Sequence, residues 1–268
     1  MAEKLLEVSG LKKYYPIKKN LLGKPGGYVQ AVNGVDFSIR TGETLGLVGE
    51  SGCGKSTVGK CIIGLENVTE GSVALDGVVL SGMPERQRRK RRRDIQMVFQ
   101  NPYASLNQRR TIQQIIDEPM QVNLDLSRQE RLERTRELLR MVGLREEYCS
   151  RYPHEFSGGQ RQRIAIARAL AVDPRLVIAD EAVSALDVSI QSQVINLFKE
   201  LQEKLGLTYL FISHNLCVVK YISDRIGVMY LGEMVEMSET EELFQHPCHP
   251  YTRSLLSAIP LPDVTEQE

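Results

Sequence analysis

A glycine-rich segment of eight residues carries the clearest chemical pattern in the sequence. Residues 49–56 read Gly-Glu-Ser-Gly-Cys-Gly-Lys-Ser and match G-x-x-x-x-G-K-[ST] without a gap. In such a loop, backbone N–H groups converge on phosphate oxygens, and the positive end of the following helix points at them. Lys55 would reach the β- and γ-phosphates of a nucleotide, and the Ser56 hydroxyl would hold Mg²⁺. The residues predicted to line this site are Gly49, Glu50, Ser51, Gly52, Cys53, Gly54, Lys55, Ser56 and Thr57.

Two acidic residues follow an apolar run further along the chain. Residues 176–179 read Leu-Val-Ile-Ala, and Asp180 and Glu181 come directly after them. A strand that delivers acids at its C-terminal end places them in the crevice where α/β folds bind ligands. Asp180 is suited to Mg²⁺, directly or through water, and Glu181 to polarising an attacking water as general base. Taken alone, the pair could equally be a solvated strand end.

A second glycine-flanked helix start lies at residues 156–160. Ser157 is a natural N-cap, and Gly158 and Gly159 leave the first turn bare enough for a phosphate to approach its N–H groups. Alone, the sequence Ser-Gly-Gly-Gln is more often an ordinary helix start. In a chain that already has a phosphate loop, Ser157, Gly158, Gly159 and Gln160 predict a second phosphate-binding helix terminus.

The elements that must position these side chains alternate between strand and helix, which predicts a mainly parallel sheet flanked by helices. Strands are predicted at residues 43–49, 95–100, 176–179 and 209–212. Four features follow the C-terminal ends of these strands: the loop that begins at Gly49, the residue Gln100, the two acids and the residue His214. One edge of the sheet is therefore predicted to collect them.

Helical patterns dominate two other parts of the chain. Ser127 and Glu130 can form a capping box, and residues 101–166 are interpreted as a helical subdomain inserted into an α/β core of residues 1–100 and 167–235. Residues 236–268 are interpreted as a C-terminal extension of this single domain, and residues 18–27 as a loop. The sequence also predicts a later helix, which ends at Gly206. Its apolar stripe consists of Ile190, Val194, Leu197, Leu201 and Leu205.

The composition argues against several classes of protein. Lys+Arg and Asp+Glu are balanced at 34 each, so no global charge favours nucleic acid, and no nucleic-acid partner is predicted. No apolar run approaches the roughly 18–20 residues that cross a bilayer, and the N-terminus lacks a secretory signal. The five scattered cysteines fit reduced thiols in a cytosol. We therefore expect an intracellular protein.

In this order, the motifs resemble those of the ATP-binding cassette (ABC) ATPases, over nearly the whole chain. The resemblance implies an α/β P-loop NTPase core of ABC type, with an N-terminal antiparallel β subdomain and an inserted helical subdomain. It implies hydrolysis of ATP with Mg²⁺. Tyr15 matches the aromatic residue that stacks on adenine in this family, with adjacent Tyr14 left open.

The resemblance also assigns a role to each motif. It makes Gln100 the Q-loop glutamine, His214 the switch histidine and residues 157–160 the signature. The D-loop matches residues 184–187, and its Asp187 joins the nucleotide-binding residues. The implied catalytic residues are Glu181, His214, Gln100 and Lys55, and the implied Mg²⁺ ligands are Ser56, Gln100 and Asp180.

Family members work as head-to-tail dimers, with each ATP between the P-loop of one subunit and the signature of the other. Residues 100–107, 151–154 and 249–252 resemble the oligopeptide/dipeptide permease group, which also includes nickel importers. The resemblance implies a second ABC ATPase subunit, as a heterodimer with a homodimer left open. It also implies two membrane subunits that hold the chain at the cytoplasmic face of the membrane, and an extracellular binding protein. A nickel importer and a soluble ABC ATPase of DNA repair or translation are the alternatives.

A few features depart from the family pattern or lie outside it. Ala182 stands where many relatives have proline, and Asn215 where aspartate is common; hydrolysis is expected to survive both, although Asn215 changes the charge beside His214. The basic run at residues 86–93 is interpreted as a solvated helix or loop. The cluster of His246, Cys248 and His249 is interpreted as no metal site, because two prolines interrupt it and a fourth ligand is missing.

Overall fold

The computed structural model describes residues 3–17 and 26–258, and its strands form two sheets. In chain order, the strands are β1 (Lys4–Pro16), β2 (Tyr28–Arg40), β3 (Thr44–Val48), β4 (Glu70–Leu75), β5 (Val78–Val79), β6 (Ile95–Val98), β7 (Leu176–Asp180), β8 (Thr208–Ile212), β9 (Arg225–Tyr230) and β10 (Glu233–Glu239).

Helices connect these strands and cover the larger sheet. In chain order, they are α1 (Lys55–Ile63), α2 (Glu85–Arg91), α3 (Pro102–Ser105), α4 (Ile112–Asn123), α5 (Arg128–Met141), α6 (Gly158–Leu170), α7 (Val188–Leu205), α8 (Leu216–Ile222), α9 (Thr240–Gln245) and α10 (Pro250–Ser257). Two short 3-10 helices span Glu146–Ser150 and Pro153–Glu155. Among the described residues, none of the helices combines the length and the apolar character that a bilayer crossing requires.

The larger sheet is mainly parallel, as predicted. Its strand order is β10-β9-β3-β8-β7-β6, and β10 is the strand that runs antiparallel to its neighbour. The register pairs Val98 with Ala179, Asp180 with Ile212, and Leu47 with Ile212. The C-terminal ends of β6, β7, β8 and β3 therefore lie side by side, which confirms that one edge collects the loops that follow them.

The smaller sheet is antiparallel, with the order β2-β1-β4-β5, and it confirms the predicted N-terminal β subdomain. Two hydrophobic cores lie on opposite faces of the parallel sheet. On β7, Leu176 and Ile178 point into the core shared with α1 and the smaller sheet, and Val177 and Ala179 into the core shared with α4 to α7. This alternation explains why β7 is buried along its whole length.

The predicted helical patterns are found in the structure. Ser127 and Glu130 form the predicted capping box at the start of α5, and Gly206 ends α7 in the left-handed conformation. Leu205, the last residue of the predicted apolar stripe, is 45% exposed. The helix extends past the core at this end, and its buried residues are Val194, Ile195, Leu197, Phe198 and Leu201.

The segment at 101–166 is helical wherever it is regular, and its proposed boundary falls within α6. Residues 18–25 of the predicted loop and 259–268 of the proposed extension lie outside the described residues. The basic run begins in α2, where Arg86, Arg89 and Lys90 are exposed, and its interpretation as a solvated helix or loop stays a prediction. Within the described residues, no group of three or more His, Cys, Asp or Glu side chains is arranged to hold a metal ion, and all five cysteines are free thiols.

Candidate active site

The P-loop, residues 49–56, joins the end of β3 to the start of α1. Gly54 precedes the helix with φ of 105°, and a Cβ there would lie 2.2 Å from the carbonyl oxygen of Ala31. A side chain is thus excluded both by the backbone conformation and by the neighbouring strand. Lys55 is buried, and its ammonium donates hydrogen bonds to the carbonyl oxygens of Gly49 at 2.8 Å and Glu50 at 2.7 Å. The loop therefore wraps around one cationic group.

Ser56 and Asp180 meet across 124 positions of sequence. The Ser56 hydroxyl donates to Asp180 Oδ1 at 2.7 Å, which brings the first turn of α1 to the end of β7. Burial raises the pKa of the Asp180 carboxyl; the bond from Ser56 opposes this shift, and the charge of Glu181 adds to it. A buried carboxylate beside a second one favours a cation, and hydroxyl and carboxylate oxygens are ligands that Mg²⁺ prefers. These residues fit the predicted magnesium site.

Glu181 lies between two side chains that follow neighbouring strands. Its Oε2 accepts a hydrogen bond from Gln100 Nε2 at 2.6 Å, and its Oε1 lies 3.4 Å from His214 Nδ1. The Glu181 side chain is 15% exposed, whereas that of His214 is 55% exposed. The carboxylate is therefore oriented from both sides and remains within reach of water. A carboxylate held in this way can act as a general base.

The backbone of Glu181 is strained. Its φ of 48° lies in the left-handed region, which costs a residue with a Cβ about 1–2 kcal/mol. The surrounding structure holds this conformation, because the Glu181 N–H donates to Ile212 O at 2.9 Å and the Ser184 hydroxyl donates to Glu181 O at 3.0 Å. Ser184 also lies 3.4 Å from Gln100 Nε2. The sequence motif included Ser184, but its link to both catalytic candidates was missed.

The signature segment, residues 157–160, begins α6 as predicted. The Ser157 side chain accepts from the Gln160 N–H, and the Gln160 side chain accepts from the Ser157 N–H, so the two form a capping box. Ser157 and Gly158 are exposed, whereas Gly159 is buried against Ile190. Among the described residues, no hydrogen bond joins this segment to the P-loop of the same chain. Because Ser157 and Gly158 are exposed, this turn is accessible to a phosphate from outside the chain.

The two tyrosines near the end of β1 have different surroundings. The Tyr14 hydroxyl donates to Asn33 at 2.8 Å within the smaller sheet. Burial raises the pKa of the Tyr15 phenol, and the Thr57 hydroxyl beside it on α1 acts in the opposite direction. Tyr15 is thus the one that lies next to the helix of the P-loop. Its stacking on adenine stays a prediction, as does nucleotide contact by the exposed Asp187.

One contact to the P-loop was not predicted. The hydroxyl of Tyr251 in α10 accepts a hydrogen bond from the Glu50 N–H at 3.0 Å. The sequence signal is the motif at residues 249–252, whose resemblance to the permease group assigns Tyr251 no structural role. At the edge of the parallel sheet, the structure brings together the predicted P-loop residues with Gln100, Asp180, Glu181 and His214.

Comparison with known proteins identifies the family in which these motifs occur together. The family described as ABC transporter matches residues 32–184, and the one described as oligopeptide/dipeptide transporter, C-terminal region, matches residues 235–268. The oligopeptide transport ATP-binding protein OppF of Bacillus subtilis is 57% identical over 265 residues, which cover 98% of this chain and 85% of that protein.

A second relative and a solved structure support the same family. The dipeptide transport ATP-binding protein DppF of Haemophilus influenzae is 53% identical over 256 residues, which cover 96% of this chain and 78% of that protein. The dimeric post-hydrolysis structure of the ATP-binding cassette MJ0796 bound to ADP and Pi superimposes with a TM-score of 0.78 at 30% identity, covering 88% of this chain and 99% of that one. The chain belongs to the ABC transporter family, among the ATP-binding subunits of oligopeptide and dipeptide transport systems.

Proposed function

We propose that the chain is the ATP-hydrolysing subunit of an importer for oligopeptides or dipeptides, with Glu181 as its general base. The relatives at 57% and 53% identity are named for oligopeptide and dipeptide transport, and neither name favours the nickel alternative or a soluble ATPase of DNA repair or translation. The observation that carries the proposal is the position of Glu181, whose carboxylate is held by Gln100 and lies beside the Ser56–Asp180 pair.

In the proposed reaction, Glu181 takes a proton from a water molecule as the water oxygen bonds to the terminal phosphorus of ATP. The bond from that phosphorus to the bridging oxygen breaks, and ADP and phosphate leave. Lys55 and the N–H groups of the P-loop would neutralise the phosphate charge. Gln100 and His214 would orient Glu181, because both lie next to its carboxylate oxygens.

Mg²⁺ would be held by Ser56, Asp180 and Gln100. The Gln100 amide nitrogen is engaged with Glu181, so its Oε1 is the atom left for a metal ligand. When bound, the ion would supply charge neutralisation at the β- and γ-phosphates. The raised pKa of Asp180 supports this assignment, because a carboxylate that burial disfavours gains most from a cation.

The proposed assembly places each ATP between the P-loop of one subunit and the signature segment of another. Two observations support it: Ser157 and Gly158 are exposed, and MJ0796 is dimeric in its complex with ADP and Pi. The exposed Asp187 would lie at the same interface. The partner would be a related ATPase chain, as a heterodimer, with a homodimer as the alternative. Two membrane subunits would hold the pair at the cytoplasmic face of the membrane and receive cargo from an extracellular binding protein.

The proposal is tested on the complete complex. The tagged chain, solubilised from its own membranes in mild detergent, should bring two membrane subunits with it. After reconstitution in liposomes, short peptides presented by the binding protein should accelerate ATP hydrolysis, and Glu181→Gln should abolish this response. Glu203→Gln, which changes an exposed carboxylate of α7, is the matched control. Stimulation by nickel instead of peptide, or copurification without membrane subunits, would contradict the proposed function.

A further inference from the structure

The motif at residues 249–252 forms the start of α10, the last described helix. His249 is its N-cap, with Nδ1 accepting a hydrogen bond from the Tyr251 N–H at 3.2 Å. Pro250 takes the first helical position, where the absence of an N–H costs no hydrogen bond. The first turn is thus well defined, and it fixes the direction in which Tyr251 leaves the helix.

The start of α10 is attached to the hairpin of β9 and β10 at two points. The Glu236 carboxylate on β10 accepts hydrogen bonds from the Cys248 N–H at 2.8 Å and the His249 N–H at 2.9 Å. The Tyr251 ring packs on that of Tyr230, at the end of β9, with 4.3 Å between ring centroids. These contacts hold the Tyr251 side chain against the body of the protein.

From this position, Tyr251 contacts one peptide unit of the P-loop. Its hydroxyl accepts from the Glu50 N–H at 3.0 Å, and the carbonyl of the same peptide unit, Gly49 O, accepts from Lys55 Nζ at 2.8 Å. The peptide is therefore held at its N–H by Tyr251 and at its C=O by the phosphate-binding lysine. Gly49 has φ of 145°, a conformation that glycine adopts easily and other residues rarely.

The same hairpin also contacts a second residue of the loop. The Gly232 N–H, in the turn between β9 and β10, donates to Cys53 O at 3.1 Å. The P-loop is thus attached at Glu50 through Tyr251 and at Cys53 through Gly232. Burial raises the pKa of the Tyr251 phenol above its ordinary value near 10, so the phenol is neutral at physiological pH.

We propose that Tyr251 is a positioning residue for nucleotide binding. By holding the Gly49–Glu50 peptide, it keeps Lys55 and the P-loop N–H groups in the arrangement that binds phosphate. It thereby couples α10, which lies in the matched C-terminal region, to the affinity for ATP. The inference rests on the proposed function, because it assumes that the P-loop binds the nucleotide.

The test is Tyr251→Phe in the full chain, which keeps the ring on Tyr230 and removes the hydroxyl. The dissociation constant for ADP with Mg²⁺ is measured by calorimetry, and the Tm without nucleotide is measured beside it. We expect ADP binding to weaken about three- to tenfold, which is the loss that one net hydrogen bond supports. Tyr230→Phe is the matched control, because it removes the hydroxyl of the other ring of the pair and should leave the affinity unchanged.

A second variant tests the contact indirectly, through the attachment of α10. Glu236→Gln leaves every P-loop atom in place but weakens the attachment of α10, so it should raise the dissociation constant by a smaller factor than Tyr251→Phe. Unchanged ADP affinity in both variants overturns the inference, even if their Tm falls, since the contact would then only support the fold. Lys55→Ala separates this failure from failure of the proposed function: if Lys55→Ala also binds ADP normally, the P-loop is not the nucleotide site.

Discussion

Gln100 Nε2 donates a hydrogen bond to Glu181 Oε2 at 2.6 Å, across 81 positions of sequence. The bond joins the ends of β6 and β7, whose pairing extends to Val98 and Ala179. Because α3 begins two residues after Gln100, any displacement of the helical segment relative to the parallel sheet would pull on this bond. The orientation of the proposed base therefore depends on how the helical segment sits against the sheet.

We predict that Gln100→Ala lowers ATP hydrolysis while leaving the affinity for ADP without Mg²⁺ close to that of the unmodified chain. The amide orients Glu181 and does not contact Lys55, so its loss misplaces the base, and a misplacement of about 1 Å can cost roughly 100-fold in rate. Turnover with Mg²⁺ and ADP affinity without Mg²⁺ should be measured on the same preparation, because Gln100 is also a proposed Mg²⁺ ligand. Gln121→Ala, on the exposed side of α4, is the control. A parallel loss of ADP affinity would show that Gln100 supports binding instead.

Asp180→Asn should stabilise the nucleotide-free chain at about pH 7. Because burial raises the folded-state pKa of Asp180, the ionised carboxyl destabilises the fold above that pKa. The penalty disappears as pH falls through the raised pKa towards about 3.9, the ordinary value, below which both states are protonated. The gain in unfolding free energy, measured with urea, should therefore be full near pH 7 and shrink towards about pH 4.

The same Asp180→Asn variant should lose the response to Mg²⁺. The Tm of the unmodified chain should rise more with ATP and Mg²⁺ than with ATP and a chelator, and the variant should show little of this difference. Asp125→Asn, on an exposed loop, should behave like the unmodified chain in both experiments. An equal rise with Mg²⁺ in the Asp180→Asn variant would contradict the assignment of Asp180 as a metal ligand.

The two glycines of the signature segment should respond differently to alanine. A Cβ on Gly159 would lie 2.4 Å from Ile190 Cγ2, so Gly159→Ala forces repacking and should cost about 1–3 kcal/mol of stability. A Cβ on Gly158 would meet Leu186 at 3.4 Å, an ordinary contact. Gly158→Ala should therefore keep the Tm but lower ATP hydrolysis, because the exposed face of this turn is proposed to meet a partner's ATP. Equal Tm for both variants would contradict the packing argument.

Asn215 has a role in the fold that the sequence comparison with the family did not reveal. Its side chain accepts from the N–H groups of Cys217 and Val218 and caps α8. Asn215→Ala should lower stability by about 1 kcal/mol, whereas Asn215→Asp keeps the cap and should cost little. Thermal unfolding of the two variants distinguishes them; an Asn215→Asp chain as unstable as Asn215→Ala would rule out capping as the reason.

The main features of the site could be predicted because parallel strands end at one edge of a sheet. Runs of apolar residues located β3, β6, β7 and β8, and the polar residues after them had to lie together. The position along a helix at which the buried core ends was harder to predict. Leu205 continues the apolar stripe of α7 by spacing, but the core ends before it, and a helical period carries no information about where a neighbouring element stops.

Contacts between distant segments could not be predicted from one sequence. The bond from Glu50 to Tyr251 spans 201 positions and depends on β9 lying next to β3, an order that no local pattern specifies. The left-handed backbone of Glu181 gave no signal either, because the hydrogen bonds that hold it come from β8 and from Ser184. Strain of this kind depends on tertiary contacts and not on local propensity.

The most direct test of the account is single-turnover ATP hydrolysis by Glu181→Gln, with ADP affinity measured in parallel. The amide keeps the shape of the side chain but cannot take a proton from water. We predict that hydrolysis slows by about 10²- to 10⁴-fold while ADP binds as in the unmodified chain. Glu203→Gln should hydrolyse ATP normally. If Glu181→Gln also cleaves ATP at the unmodified rate, Glu181 is not the base, and the proposed mechanism is wrong.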